Sequence, residues 1–201
     1  ATSPEEAKLL GDAGVDMIVA TGMEAGGHRV SFLREPESCL TGTLALVPQA
    51  VDTVRVPVIA AGGIADKRGI AAALALGASA AQIGTAFLAC EESNASPLHR
   101  QMLFSEAARR TSLTRAFTGR LARSVHNEFI EKLRSSESRL PPYPVQAWLT
   151  ARLRASAIEA GRADVISLWS GQAAPLLRYR SARELMRSLM QGPPPSSPNH
   201  H

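Results

Sequence analysis

Residues 15 to 28, Val15-Asp-Met-Ile-Val-Ala-Thr-Gly-Met-Glu-Ala-Gly-Gly-His28, constrain the fold more than any other stretch. The apolar run from Met17 to Ala20 shows no polar alternation, so it predicts a short strand covered on both faces, as in a parallel sheet flanked by helices. The run breaks into Thr21-Gly22 and Glu24-Ala-Gly-Gly-His28. Paired glycines allow positive φ and close approach of a ligand to the backbone. A histidine just beyond them can exchange protons near neutral pH. Sites in parallel α/β proteins are built at the C-terminal ends of strands. Alone, the stretch is equally a strand, a flexible loop and a surface histidine.

The flanking chain favours the site. Ser3-Pro4-Glu5-Glu6 predicts a helix start with a capping box, ending at Gly14. A helix over Thr43 to Val54 is predicted from Leu44, Val47, Val51 and Val54, with its first turn set apart by Pro48. Val56 to Ala61 is a second buried strand, ending in Gly62-Gly63. Asp66 caps a helix from Lys67 to Leu76. Ala78 to Ile83 is a third strand, ending in Gly84-Thr85, with a short helix to Cys90. This alternation, each strand ending in glycine, marks right-handed β/α units around a parallel sheet.

After Ser93 the pattern changes. Helices are predicted from Ser96-Pro97, over Asn127 to Leu133, over Val145 to Ala160, and from a second capping box at Ser181 to Glu184 as far as Met190. Thr111 to Thr118 is read as extended. The division is a partial barrel over 1–92, a mainly helical region over 93–190, and a tail over 191–201 disordered by its Gly-Pro-Pro-Pro-Ser-Ser-Pro composition.

Aromatic residues are only 4% of the 201, and the basic residues behind the +4 net charge are scattered, so no nucleic-acid surface is expected. Two cysteines make no disulfide framework, which points to a reducing, cytoplasmic setting. No apolar stretch reaches membrane-spanning length, and no signal peptide opens the chain. No spacing of His, Cys or carboxylates fits a metal site.

Two consecutive turns, either of which alone reads more simply as a tight turn, together favour a phosphate site. Gly62-Gly63 follows a strand and precedes a capped helix, and Gln82-Ile-Gly84-Thr85 repeats the arrangement with a hydroxyl and a short helix. Together they match the phosphate site of a β/α barrel at its last two strands. No Gly-x-Gly-x-x-Gly or Walker pattern is present. Of the histidines, His99 and His126 lie on or before helices and read as structural or solvated. Glu24 is left open between orienting His28 and lying exposed, and Glu91-Glu92 is read as a helix-end charge pair.

Glu24-Ala-Gly-Gly-His28, Ala60-Ala-Gly-Gly-Ile-Ala-Asp66, Gln82-Ile-Gly-Thr-Ala-Phe87, Glu91-Glu-Ser93, Leu113-Thr-Arg-Ala-Phe-Thr-Gly-Arg120 and Trp169-Ser-Gly-Gln172 together resemble the nitronate monooxygenases, also called 2-nitropropane dioxygenases. The first three motifs are shared with FMN-dependent enoyl-acyl-carrier-protein reductases. The resemblance implies an α/β chain forming the C-terminal part, the last three strands, of an FMN-binding (β/α)8 TIM barrel, with an added mainly helical region. It implies that Gly22, Gly26, Gly63, Gln82, Gly84 and Thr85 contact FMN and that His28 is the catalytic base. The substrates implied are a small nitroalkane or nitronate and O2.

The family's first five strands have no counterpart here. The expectation is therefore self-association or a need for an N-terminal half, with the inward faces of Ile18, Ile59 and Ile83 lacking an opposite wall. The alternatives are enoyl-thioester reduction on the same scaffold, or a non-catalytic truncated homologue.

Overall fold

Ser3 Oγ accepts the Glu6 N–H at 3.2 Å and Pro4 fills the first turn, so helix α1 (Pro4–Asp12) begins where its cap is written. The structure, a computed structural model, describes residues 1–191; the tail expected over 191–201 lies, beyond Gln191, outside the described residues. Glu6 does not reach back to Ser3 as a capping box would. Its buried carboxylate accepts Thr2 N at 2.6 Å, Thr2 Oγ1 at 2.8 Å, Phe32 N at 2.7 Å and Leu33 N at 3.2 Å. Burial works to raise this carboxyl's pKa, but the bonds from Phe32, Thr2 and Leu33 outweigh it and hold it below the ordinary value.

Glu6→Gln places an amide N–H2 against donors and leaves buried N–H groups short of an acceptor. We expect a loss of about 2 kcal/mol at neutral pH, read by urea unfolding. A depressed carboxyl pKa contributes stability above its unfolded value and loses it as pH falls through the folded one. The gap between wild type and variant should therefore close below pH 4.5, the ordinary carboxyl value. Equal unfolding midpoints at pH 7 would remove Glu6 as a structural tie.

The parallel sheet runs in the order β1 (Ile18–Thr21), β3 (Val58–Ala61), β4 (Ala80–Gln82), with Ile18 opposite Val58 and Ile59 opposite Ala80. Ile18, Ala20, Val58 and Ala60 pack with Ala7 of α1, Leu46, Val47 and Ala50 of α2 (Thr43–Thr53), and Ala73 of α3 (Lys67–Ala75). The opposite face carries Val19 and Ile59, only half-buried, and the exposed Ala80. Burial on both faces is thus not what β1 shows, and Met17 precedes the strand at 55% exposure. Ile18 and Ile83 turn toward the helices; Ile59 alone of the three isoleucines lies on the open face.

Helix α2 passes through Pro48 without a break. The bond Pro48 cannot make would go to the Leu44 carbonyl, and Leu44 is 71% exposed, so water can take that acceptor. The outer edge of β1 is paired with Ala1, whose carbonyl accepts Thr21 N at 2.8 Å and whose amine donates to Val19 O at 2.7 Å.

A second, antiparallel sheet was not expected as such. It is ordered β2 (Gly27–His28), β6 (Ala122–Val125), β5 (Thr111–Thr114). All four residues of β6 are buried. Arg123 and Ser124 hide this in the sequence, because each is satisfied internally. Arg123 Nε donates to Met23 O at 2.9 Å, its Nη1 donates to Thr111 Oγ1 at 3.0 Å, and Ser124 Oγ accepts Leu168 N at 3.0 Å. His28 pairs with Ala122, so this sheet sets the histidine's backbone.

The remaining helices are α4 (Thr85–Leu88), α5 (Pro97–Leu103), α6 (Glu128–Leu133), α7 (Val145–Glu159) and α8 (Ala182–Met190). The cap of α8 corrects two expectations. The Ser181 side chain does not bond a first-turn amide; instead Glu92, read as half of a charge pair, accepts Ala182 N at 2.9 Å and Ser181 Oγ at 3.2 Å. Among the described residues no helix is long and apolar enough to cross a membrane.

Candidate active site

The C-terminal ends of β1, β3 and β4 open onto one cavity of about 370 Å³. It is lined by Gly26, His28, Gly63, Gln82, Gly84 and Thr85, six of the seven residues singled out from the sequence, together with Thr21, Trp169 and Gly171. Gly22 is not among them. It is buried behind the cavity, where a Cβ would lie 2.0 Å from Thr43 Oγ1.

Gly62 and Gly63 both have positive φ, 106° and 72°, which turns the chain sharply after β3. The N–H groups of Gly63, Gly84 and Thr85 find no acceptor among the described residues. A Cβ on Gly84 would meet nothing within 4 Å, so the backbone there is open to a ligand. The N-terminus of α3, expected to share in an anion cradle, is closed: Asp66 Oδ1 accepts Arg68 N at 2.9 Å and Gly69 N at 3.4 Å. The unpaired donors at these strand ends are therefore the amides of Gly63, Gly84 and Thr85 in the two turns.

Thr85 Oγ1 accepts Gly171 N at 2.9 Å, and Glu24 O accepts Gln172 N at 2.9 Å. These bonds clamp the Trp169–Gln172 segment over the glycine loop. A Cβ on Gly26 would sit 2.7 Å from Gly171 N, so Gly26 is also what lets the two backbones touch.

Glu24 does not orient His28. Its carboxylate accepts Thr43 N at 2.9 and 3.0 Å and Thr43 Oγ1 at 2.9 Å, capping α2, whose cap residue is a glycine. The partner of His28 is Thr118, with Oγ1 2.8 Å from Nε2. The imidazole is half-buried between Tyr143 and Trp169, with ring centroids at 5.4 and 5.7 Å. Burial, and then the charge of Arg120, hold its pKa below the ordinary 6.5, so at neutral pH it is an uncharged base.

Among the described residues the other two histidines are engaged elsewhere: His99 Nε2 lies 3.0 Å from Trp169 O, and His126 Nδ1 lies 2.9 Å from Ser112 Oγ. Thr118 and Tyr143 were not singled out. Thr118 lies within the motif 113–120 that carried the resemblance, but nothing in its spacing points 90 residues back to His28.

Among the described residues no group of His, Cys, Asp and Glu is placed to hold a metal ion. What the cavity offers is a set of amide donors for an anion, apolar walls from Val30, Ile64, Leu88 and Ala173, and one neutral imidazole.

The probable nitronate monooxygenase of Staphylococcus aureus (strain Newman) is 46% identical over 191 residues, covering 94% of this chain and 54% of that protein. The chain thus spans about half the length of the curated relatives it matches. The crystal structure of nitroalkane oxidase from Streptomyces ansochromogenes superposes with a TM-score of 0.87 at 44% identity, covering 94% of this chain and 55% of that one. FabK from Thermotoga maritima superposes with a TM-score of 0.77 at 33% identity, covering 94% and 58%. A family model described as nitronate monooxygenase matches residues 1–192, and the chain belongs to that family.

Proposed function

We propose that this chain carries the catalytic base and the flavin phosphate cradle of an FMN-dependent nitronate monooxygenase. The reaction is oxidation of alkyl nitronates or nitroalkanes to carbonyl compounds and nitrite with O2. The observation that carries this reading is the meeting, in one cavity, of a neutral half-buried His28 with the acceptor-free amides of Gly63, Gly84 and Thr85. The residues present fit FMN. A phosphate monoester needs several N–H donors and room against the backbone, and both turns offer them. Gln82, Gly26 and Thr21 line the same cavity and would contact the ring system.

His28 takes a proton from the carbon that bears the nitro group, a step suited to a base with a pKa near or below neutrality. Tyr143 meets the imidazole edge-to-face and Trp169 meets it at a tilt, and the two rings shield it from water. When bound, FMN supplies the electron acceptance that the protein groups cannot.

The three parallel strands are read as the last three of the eight in the barrel. The open face carrying Val19, Ile59 and Ala80 is where the rest of the wall packs, supplied by an N-terminal portion or a second chain. The reductase reading has less support, because FabK is at 33% identity where the nitroalkane oxidase is at 44%.

The test is nitrite release with O2 uptake by the complete, FMN-loaded protein given a nitroalkane. Rapid NADPH oxidation with enoyl-thioester turnover and no nitrite would reverse the assignment.

The cradle has its own test. Gly63→Val places a β-branched residue at φ 72° and its Cβ 3.4 Å from that of Glu24. Strain of about 1–3 kcal/mol in folding is expected from that φ. Loss of the shaped amide should also raise the FMN dissociation constant by about tenfold or more, a difference of about 1.4 kcal/mol. Flavin titration of the folded fraction, beside thermal unfolding, reads the two separately. Normal FMN affinity in folded Gly63→Val would reduce the turn to a structural one.

A further inference from the structure

The hydroxyl of Thr118 has one proton, and its neighbours determine where it goes. Thr118 Oγ1 lies 2.8 Å from His28 Nε2, 3.2 Å from the Arg120 carbonyl and 3.4 Å from the Arg120 N–H. The carbonyl only accepts and the amide only donates. If the hydroxyl donates to Arg120 O, its oxygen accepts from both Arg120 N–H and an Nε2–H of the imidazole, and every group is used. If it donated to Nε2 instead, the proton of the neutral ring would sit on Nδ1. Nδ1 has no acceptor among the described residues, and the Arg120 carbonyl would lose its donor. Thr118 is nearly buried, at 6% exposure, so unpaired groups there are costly. The aromatic walls of Tyr143 and Trp169 offer neither nitrogen of His28 a competing acceptor.

We propose that Thr118 is a positioning residue that locks neutral His28 in the Nε2–H tautomer and thereby makes Nδ1 the atom that receives the substrate proton. This rests on the reading of His28 as a base in the proposed function. The carbon–hydrogen pair of electrons stays with the substrate, which becomes the bound nitronate. The proton goes to Nδ1, and Nε2–H remains bonded to Thr118 throughout, so the ring does not rotate during the step. Arg120 thus does two things from one turn. Its carbonyl orients the hydroxyl, and its guanidinium, held by Arg29 O at 2.8 Å and Ser31 O at 2.7 Å, discourages the imidazolium. Arg120 and Tyr143 are the charged or titratable groups facing the ring from the elements packed on it.

The experiment uses the complete FMN-loaded protein with 15N-labelled histidine. Long-range proton–nitrogen correlation above the His28 pKa, with His28→Gln assigning the signals, should show Nε2 protonated and Nδ1 bare. Thr118→Val keeps the shape and removes the hydroxyl. It should give a mixture of tautomers and lower kcat about 10–100-fold with KM and the flavin spectrum unchanged, out of the about 10²–10⁴-fold that a positioned base contributes. Thr118→Ser should restore both readouts to within about threefold of wild type, an estimate set by keeping the same donor and acceptor.

A wild-type signal showing Nδ1–H would overturn the proposal. So would Thr118→Val with unaltered imidazole signals and kcat. Should Thr118→Val not fold, the wild-type spectrum and Thr118→Ser still decide. Absence of nitrite from the wild type would sink the proposed reaction while leaving the tautomer measurement to stand or fall separately.

Discussion

His28→Ala should abolish most oxidation of neutral nitroalkanes, by about 10²–10⁴-fold in kcat/KM, while sparing much of the oxidation of a preformed nitronate. The asymmetry follows from the role proposed for the imidazole. Only the neutral nitroalkane must lose a proton before it can be oxidised. A nitronate supplied from outside needs the flavin and the cavity but not the base. Nitrite measured with both substrate forms separates the two.

The pH dependence has a definite sign. Burial and Arg120 depress the His28 pKa, so the base is protonated and idle only below the ordinary value of 6.5. For the neutral substrate kcat/KM should rise through a pKa lower than that and then level off. His28→Ala should lose this limb. Equal turnover of both substrate forms by His28→Ala would remove His28 from the mechanism.

The site was legible where chemistry sits next to its own backbone. The strand-end glycines and His28 lie within a few residues of the β1, β3 and β4 ends, and the parallel sheet collects them without any further information. What could not be read was set by contacts distant in sequence. Thr118 reaches His28 across 90 residues and Thr43 receives Glu24 across 19. Gly171 meets Thr85 across 86. Local patterns were right about Ser3 and Asp66 as caps, because a cap bonds within three residues. They were wrong about Glu6 and Glu92. A carboxylate near a helix end looks the same in sequence whether it closes its own first turn or ties two segments together. The second sheet was missed for a related reason: β6 reads Ala-Arg-Ser-Val, and a buried arginine looks exposed until its carbonyl and hydroxyl partners are in place.

The two glycines Gly22 and Gly84 stand at matching strand ends and imply the same role by resemblance, yet they should behave oppositely when replaced by alanine. Gly22 donates to Ala61 O at 2.9 Å and accepts Arg29 Nη1 at 2.7 Å on its carbonyl, so its backbone is held in place. A Cβ there would fall 2.0 Å from Thr43 Oγ1, 2.4 Å from Glu24 Oε2 and 2.5 Å from Thr43 N. The last of these is backbone at the start of α2, so relief requires moving the helix or breaking the Glu24 cap. Overpacking of about 1–3 kcal/mol adds to the loss of a charge-assisted bond of about 1.5–3 kcal/mol, giving a destabilisation of about 4 kcal/mol. At about 2–4 °C per kcal/mol for a chain of this size, Tm should fall by about 8–16 °C.

Gly84, at φ −99° with nothing within 4 Å of a Cβ, should accept alanine with a change in stability under about 1 kcal/mol. The added methyl enters the cavity beside the Thr85 amide, so the loss should appear as weaker FMN binding instead. Calorimetry of the apo forms and flavin titration of the folded forms give four numbers. A Gly22→Ala protein of unchanged Tm that has lost flavin affinity would restore Gly22 to the cofactor site and refute its assignment to the Glu24–Thr43 contact.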